Sequence, residues 1–460
     1  MIQTRHRNPI FYAFLFAVTS MATMAQGARD ATNPARPPNV VLIVTDDGGW
    51  ADFGFNGCKD YATPNMDSIA KEGVNFTAGY VSAPVCSPSR AGLLTGRNQS
   101  CFGHEYNITG QRTQGLPLSE TLLPQRFKKL GYTTAAFGKW HLGGGKGYQP
   151  FERGFDESYG FISGSRGYLA ETLKSPRDTD GAWRRNGKPE VEHEYATDAI
   201  RRECVDFIGK NSDKPFFIYA AFNCPHSPMQ AKPGYESGFS SIENKKRRTI
   251  AAMMKSQDEA VGEILATLKA KNLDRNTIVW LLNDNGAGTY APFNNGPWRG
   301  NKGSLFEGGI RVAFAARWPG GLPKGRIYQE PVSTLDIGPT SLAAAGSKDA
   351  TGFDGKNLIP CLNSLEKSAR PHETLNWSYS PAGAIRDGDW KLLVMDGKPV
   401  ALFNLKEDPS ETTNRMTSDP DKVADLAAKH TEWKKTTVAP LWRGDAEGLA
   451  NGIRKIHKKL

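Results

Sequence analysis

Asn39-Val-Val-Leu-Ile-Val-Thr45 is a near-continuous apolar run that ends in Asp46-Asp47. An apolar run without alternation, rich in β-branched types, reads as a strand buried on both faces. Thr133–Phe137, Phe216–Phe222 and Thr277–Leu282 are runs of the same kind. Helical patterns lie between them. Leu122, Leu123, Phe127 and Leu130 share one helix face, stopped by Gly131. Ile250, Met253, Met254, Val261, Ile264, Leu265 and Leu268 mark a longer amphipathic helix. Its methionines read as core, and Lys245–Arg248 reads as its solvated start. Strands alternating with helices predict an α/β fold with a mainly parallel sheet covered by helices.

The chain has 460 residues, enough to bury a large core without a disulfide scaffold. Hydrophobic residues are 38% of it, which excludes disorder, and its 48 Gly and 29 Pro follow no repeat, which excludes a collagen-like chain. A net charge of +10 favours polyanionic partners without choosing among nucleic acid, sulfated glycan and membrane surface. At the N-terminus, Arg5 and Arg7 precede the apolar run Ile10–Val18, and Ala22, Ala25 and Ala28 offer small residues for cleavage. This reads as a signal peptide over 1–28 and predicts a periplasmic or secreted protein. The run is too short for an ordinary membrane span, and no later stretch approaches one. Six cysteines (58, 86, 101, 204, 224 and 361) allow no connectivity to be read. After a catalytic body over 38–354 the texture changes. Ala384–Met395 and Lys398–Leu405 read as two strands joined at Asp396-Gly397, and 421–435 as a last helix. Residues 355–460 are thus expected to form a small antiparallel α+β subdomain.

The apolar strands of the body all end in reactive residues. Asp46 and Asp47 follow the first, Lys139 and His141 the second, His226 the third, and Asp284 and Asn285 the fourth. In open α/β sheets the carboxyl ends of the strands form the ligand crevice. Asp46, Asp47, Asp284 and Asn285 offer only hard oxygen donors, which suits Ca²⁺ or Mg²⁺. Arg90, Lys139, His141, His226 and Lys302 bring positive charge or proton donors to the same rim. A cation with such a shell fits a tetrahedral oxyanion, phosphate or sulfate. Cys86 lies in Cys86-Ser-Pro-Ser-Arg90, followed by Ala91-Gly-Leu-Leu-Thr-Gly-Arg97. A plain thiolate there is a poor match, because sulfur is soft and a calcium-type site prefers oxygen.

Cys-Ser-Pro-Ser-Arg with its Leu-Leu-Thr-Gly-Arg continuation resembles the signature of type I, formylglycine-dependent sulfatases. Further landmarks follow in order: Thr45-Asp46-Asp47, Thr63-Pro64-Asn65-Met66-Asp67, Gly138-Lys139-Trp140-His141 and Arg153-Gly154-Phe155-Asp156. Pro225-His226-Ser227-Pro228, Asp284-Asn285-Gly286, Arg299–Gly303 and Glu307-Gly308-Gly309-Ile310-Arg311 continue the series, and Arg386–Leu392 with Phe403-Asn404-Leu405 close it. Asn283 stands where the family often has Ser or Thr. The resemblance implies an alkaline-phosphatase-like fold, a large mixed sheet sandwiched by helices. It implies one Ca²⁺ held by Asp46, Asp47, Asp284, Asn285 and the formylglycine made from Cys86.

The resemblance also implies roles. One hydroxyl of the hydrated aldehyde attacks sulfur, with Asp284 taking its proton. Lys139, Lys302 and Arg90 spread the sulfate's charge. His226, with Lys302, protonates the departing alcohol. The second hydroxyl expels sulfate, with His141 as base. Implied partners are a formylglycine-generating maturation enzyme and a sulfated carbohydrate, with no nucleic acid and no integral membrane span after signal cleavage. Export and positive charge favour a polysaccharide or oligosaccharide over a small aryl sulfate. His104, Glu105, Arg166, Tyr168 and Trp183 lie in loop-like segments and are candidates for a sugar subsite, since aromatic faces cover sugar rings and Arg pairs with sulfate or uronate. Two rival readings are a phosphonate or phosphate ester hydrolase on the same architecture and a non-catalytic polyanion-binding protein.

Overall fold

The computed structural model describes residues 36–109, 112–169, 182–349, 351–364, 366, 369–442 and 454. The expected signal over 1–28 lies outside the described residues. From Pro37 onward the described residues form one compact unit. Its first strands are β1 (Asn39–Thr45), β2 (Val74–Phe76), β3 (Gly79–Tyr80), β4 (Thr133–Lys139), β5 (Glu157–Phe161), β6 (Arg184–Arg185) and β7 (Lys188–Pro189). Then come β8 (Phe216–Ala221), β9 (Thr277–Asn283), β10 (Phe314–Arg317), β11 (Arg326–Tyr328) and β12 (Val332–Ser333). A 10-stranded sheet runs β11-β2-β10-β9-β1-β8-β4-β5-β6-β7. Its centre, β9 to β5, is parallel. β10 runs antiparallel to both β9 and β2, and β6 and β7 close the other edge antiparallel. The sheet is therefore mixed. The four apolar runs are its four central strands.

Every residue of β1 is buried, as an unalternating apolar strand requires. The helices named here are α1 (Pro64–Lys71), α2 (Cys86–Thr95), α3 (Leu123–Lys129), α4 (Ala196–Lys210), α5 (Lys245–Ala270) and α6 (Glu307–Ile310). Val41 and Ile43 join Ile200 of α4 and Met253, Met254 and Ile264 of α5 in one core. Val40, Leu42 and Val44 point the other way, onto Leu93 and Leu94 of α2 and Phe127 of α3. The period of 2 in strand side chains thus builds two cores on one sheet. The start of α5 departs from expectation. Asn244 caps it, accepting from the Arg247 amide at 3.0 Å. Arg247 is not solvated: it is buried, pairing with Asp52 and, at 2.7 Å, with Asp60.

The C-terminal part holds β13 (Thr374–Tyr379), β14 (Ala382–Asp387), β15 (Trp390–Met395) and β16 (Lys398–Asn404), an antiparallel meander, followed by α7 (Pro420–Lys434). Ala384–Met395 is thus not one strand. The chain reverses at Asp387-Gly388-Asp389, where Gly388 takes the left-handed φ of +57° that the tight turn requires. The expected turn at Asp396 (φ +50°) and Gly397 (φ +76°) is present. One face of the meander carries Ile385, Leu392 and Leu402 against Leu426 of α7. Trp377, Ala384, Leu393 and Phe403 on the other face share a core with Tyr80, Val85, Phe306 and Ile310. Among the described residues no helix is long and apolar enough to cross a membrane.

Candidate active site

β9, β1, β8 and β4 are consecutive neighbours and parallel, so their carboxyl ends share one rim. That rim gathers Asp284 and Asn285, Asp46 and Asp47, His226, and Lys139 with His141. Asp47 (φ +65°) and His141 (φ +58°) are held in left-handed backbone, strain of the kind functional sites store. Cys86 opens α2 and is buried. Its Sγ lies 3.6 Å from Asp46 Oδ1 and 3.1 Å from Lys302 Nζ. Lys302 Nζ also reaches Asp47 Oδ1 at 2.6 Å, and Lys139 Nζ reaches Asp46 Oδ2 at 2.6 Å. Arg90, one turn along α2, is fully buried. It donates through Nε to Asp284 Oδ2 at 2.9 Å and through Nη1 to Tyr219 Oη and the Lys139 carbonyl, each at 3.1 Å.

His226 Nε2 stands 3.4 Å from Asp47 Oδ2. Its Nδ1 is 2.7 Å from the Ser227 carbonyl. A carbonyl only accepts, so Nδ1 carries a proton and Nε2 is the nitrogen that exchanges one. Tyr290 Oη donates to Asp47 Oδ2 at 3.0 Å and accepts from the Ser227 amide at 3.0 Å, tying the His226 loop to the carboxylate.

Charge and burial set the protonation states. Burial alone would raise Asp46, but Lys139, His226, Arg90 and Lys302 outweigh it and hold the carboxyl well below its usual range. Asp47 is likewise lowered, against burial, with Lys302 the main opposing charge. Asp284 moves up, through burial and the neighbouring Asp46 charge. Burial, with Asp284, pushes the Cys86 thiol up to about 12. Burial, with Lys139 and Arg90, holds the His141 ring well below the ordinary histidine value, hence neutral.

The donor set fits a hard cation. Buried polar atoms normally have partners, yet Asp284 Oδ1 and Asn285 Oδ1 have none among the described residues. Asn285 instead spends its amide nitrogen on Asp47 Oδ1 at 2.7 Å. Ligand atoms of Asp46, Asp47, Cys86 and His226 lie within 4.8 Å of one another, so they could hold a metal ion. Buried oxygens without donors, next in sequence to one another at the same rim as two carboxylates, are what an oxygen-bound cation relieves.

The sugar-subsite expectations need correction. Trp183 is fully buried, packed at 5.0 Å between centroids on Tyr159. Tyr168 is fully buried, its Oη donating to the Asn223 carbonyl and, at 2.9 Å, to that of His226. Glu105 is buried on Ser378 Oγ at 2.7 Å and the Ser380 amide at 3.0 Å. His104 is fully buried on Ser87 Oγ at 2.7 Å. Loop segments lacking periodicity still send side chains inward, and these four do. Arg166 alone is half-buried, its carbonyl accepting from Asn223 Nδ2 at 3.3 Å. Sequence reasoning gave no role to Tyr219, Tyr290, Ser87 or Asn107. Asn283 carried one signal, an amide closing an apolar run.

The family model for Sulfatase matches residues 38–347. The chain belongs to the sulfatase family. This sulfatase is 34% identical over 381 residues to the N-acetylgalactosamine-6-sulfatase of Mus musculus, covering 78% of this chain and 71% of that one. It is 30% identical over 458 residues to arylsulfatase J of Mus musculus, covering 87% and 76%. The crystal structure of Ps i-CgsB in complex with k-i-k-neocarrahexaose superposes with a TM-score of 0.85 at 35% identity, covering 91% of this chain and 98% of that one. The sulfatase has the alkaline-phosphatase-like fold and is a sulfuric ester hydrolase.

Proposed function

We propose that this sulfatase removes sulfate from a sulfated polysaccharide or oligosaccharide outside the cytoplasm, with formylglycine at position 86 and one Ca²⁺. The observation that carries this is Cys86 lodged beside Asp46 and Lys302 while Asp284 and Asn285 each keep a buried oxygen unpaired. When present, formylglycine supplies a hard oxygen nucleophile, and Ca²⁺ on Asp46, Asp47, Asp284, Asn285 and position 86 supplies charge neutralisation. The thiol as it stands is a weak nucleophile, because burial and Asp284 keep it protonated. A maturation enzyme is the partner this conversion requires. The saccharide class is supported by the names of the relatives, one an N-acetylgalactosamine-6-sulfatase and one bound to neocarrahexaose. The domain reading stays 38–354 for the catalytic body and 355–460 for the subdomain.

The chain's own residues divide the work. Lys139 and Lys302, each on a carboxylate, are the donors for the sulfate oxygens. Arg90 holds Asp284 in place and adds its charge to that of the two lysines, and Asp284 takes the nucleophile's proton. His226, its side chain 15% exposed at the mouth, protonates the departing alcohol through Nε2, assisted by Lys302. The neutral His141 ring accepts the proton in the release step. Arg166, beside the His226 loop, remains for sugar contact.

The test is expression with a maturation enzyme, a mass measurement of the Cys86 peptide, and a screen of defined sulfated saccharides for released sulfate. Conversion of Cys86 and release from at least one saccharide are expected. Cys86→Ser should abolish turnover in a host that matures only cysteine. Fully active protein with an intact thiol would overturn the proposal.

A further inference from the structure

Helix α2 begins at the nucleophile position without a side-chain cap of its own, because Val85 occupies the N-cap. The free amides of a first turn need partners. Pro88 has no N–H and needs none. The Ser87 amide finds its partner far along the chain, in Asn107 Oδ1 at 3.0 Å. The Ser87 hydroxyl is held too. Its Oγ is 2.7 Å from the His141 carbonyl and 2.7 Å from His104 Nε2. A carbonyl cannot donate, so the single hydroxyl proton goes to His141, and His104 Nε2 must donate to Ser87. The neutral ring then leaves Nδ1 bare, and Nδ1 is buried without a partner among the described residues. Burial agrees, lowering the His104 pKa to about 3.

The same short segment is anchored on its far side. Glu105 takes Ser378 Oγ and the Ser380 amide, Tyr106 Oη donates to the Ser380 carbonyl at 2.6 Å, and the Asn107 carbonyl accepts from Trp442 Nε1 at 3.2 Å. His104–Asn107 is therefore a bracket between the small C-terminal sheet and the first turn of α2.

We propose that His104 and Asn107 are positioning residues, which fix the first turn of α2 and the His141 backbone and so aim position 86 and His141 at the ester. This rests on the reading of position 86 as the nucleophile. His141 sits at φ +58°, a conformation the chain keeps only when its surroundings hold it. A displacement of about 1 Å at a reacting centre can cost about 100-fold in rate.

The test uses the full chain, expressed with and without the maturation enzyme. In unmatured protein, amide exchange of the Ser82–Leu93 peptide should rise in Asn107→Ala and stay as wild type in Asn107→Asp, which keeps the acceptor. This readout needs no nucleophile, so it separates failure of the bracket from failure of the proposed function. In matured protein, rates are normalised to the formylglycine content of each sample. His104→Leu should lower kcat by about 100-fold with KM within about 3-fold, and His104→Gln, whose amide can donate from a similar place, should recover most of it. A raised KM at unchanged kcat would make His104 a substrate contact and overturn the proposal. Equal losses in Gln and Leu, or unchanged exchange in Asn107→Ala, would overturn it as well. Should His104→Leu not fold, the Asn107 pair decides.

Discussion

Of the side chains assigned to catalysis, Lys302 and His226 are the ones that solvent reaches, at 18% and 15% exposure, while Cys86, Arg90 and Lys139 are sealed below. On the proposed function the leaving alcohol departs on this open side, where His226, with Lys302 beside it, would meet it as proton donor. Its help matters most where the alcohol is a poor leaving group. His226→Ala should cost about 100-fold or more on sugar sulfates and under about 10-fold on a nitrophenyl sulfate, measured as kcat. Equal losses on both would remove it from the acid role. Beneath it, the orphaned oxygens of Asp284 and Asn285 carry a separate expectation. Exhaustive chelation should lower turnover by more than about 10-fold and lower Tm, both restored by Ca²⁺, since a cation bound only to the folded state stabilises it. Full activity in a demonstrably metal-free sample would remove the cation.

At the scale of elements, the site is a consequence of four parallel strands ending level. Asn283, the last residue of β9, locks that level. Its Oδ1 accepts from Thr45 Oγ1 at 2.6 Å and from the Gly48 amide at 3.2 Å, and its Nδ2 donates to the Gly48 carbonyl at 2.8 Å. The turn bearing Asp46 and Asp47 is thus stitched to the strand bearing Asp284. Asn283→Ala leaves buried backbone groups unpaired and should destabilise the protein by about 2–4 kcal/mol by denaturant titration. A change below about 0.5 kcal/mol would show that the stitch is unimportant. The strands were legible because burial on both faces demands unbroken apolar runs, and their polar ends marked the rim. Tyr219 and Tyr290 were not legible, because a tyrosine inside an apolar strand or a loop looks like core. His104 and Glu105 were misplaced for a related reason. Segments without periodicity say nothing about which side chains turn inward, and the bonds of Glu105 run to residues more than 270 positions away. The reversal at Gly388 was missed although Asp387-Gly388 is a turn signal, because the apolar residues before and after it read as one run.

Across the whole molecule, the small sheet is joined to the body by buried charge as well as by an apolar core. Lys391 Nζ on β15, fully buried, bridges Glu307 Oε1 of α6 and Glu411 Oε1, each at 2.9 Å. The Glu411 carbonyl also accepts from Arg299 Nη1 at 2.7 Å, so the joint brackets the loop that carries Lys302. One lysine cannot satisfy two buried carboxylates equally. Burial alone would raise Glu307, yet Lys391, Arg311 and Arg386 hold it down at about 2. Glu411 is pushed up from the ordinary 4.5 to about 7, by burial and, against the pull of Lys391, by the Glu307 charge. A carboxyl that binds its proton more tightly when folded stabilises the protein fully below its unfolded pKa and loses that contribution as pH rises through its folded pKa. Glu307 is the opposite case, with its contribution present above the ordinary 4.5 and lost as pH falls through about 2. Between pH 5 and 8 the Glu411 contribution is therefore the one that changes, and it falls with rising pH. Glu411→Gln keeps an acceptor for the Glu307 amide, now 2.6 Å from Glu411 Oε2, but has no proton to lose. The variant's Tm should vary less between pH 5 and 8 than that of the wild type, with the gap in favour of the variant widening toward pH 8. Parallel Tm profiles across that range would show that Glu411 is ionised at the joint throughout.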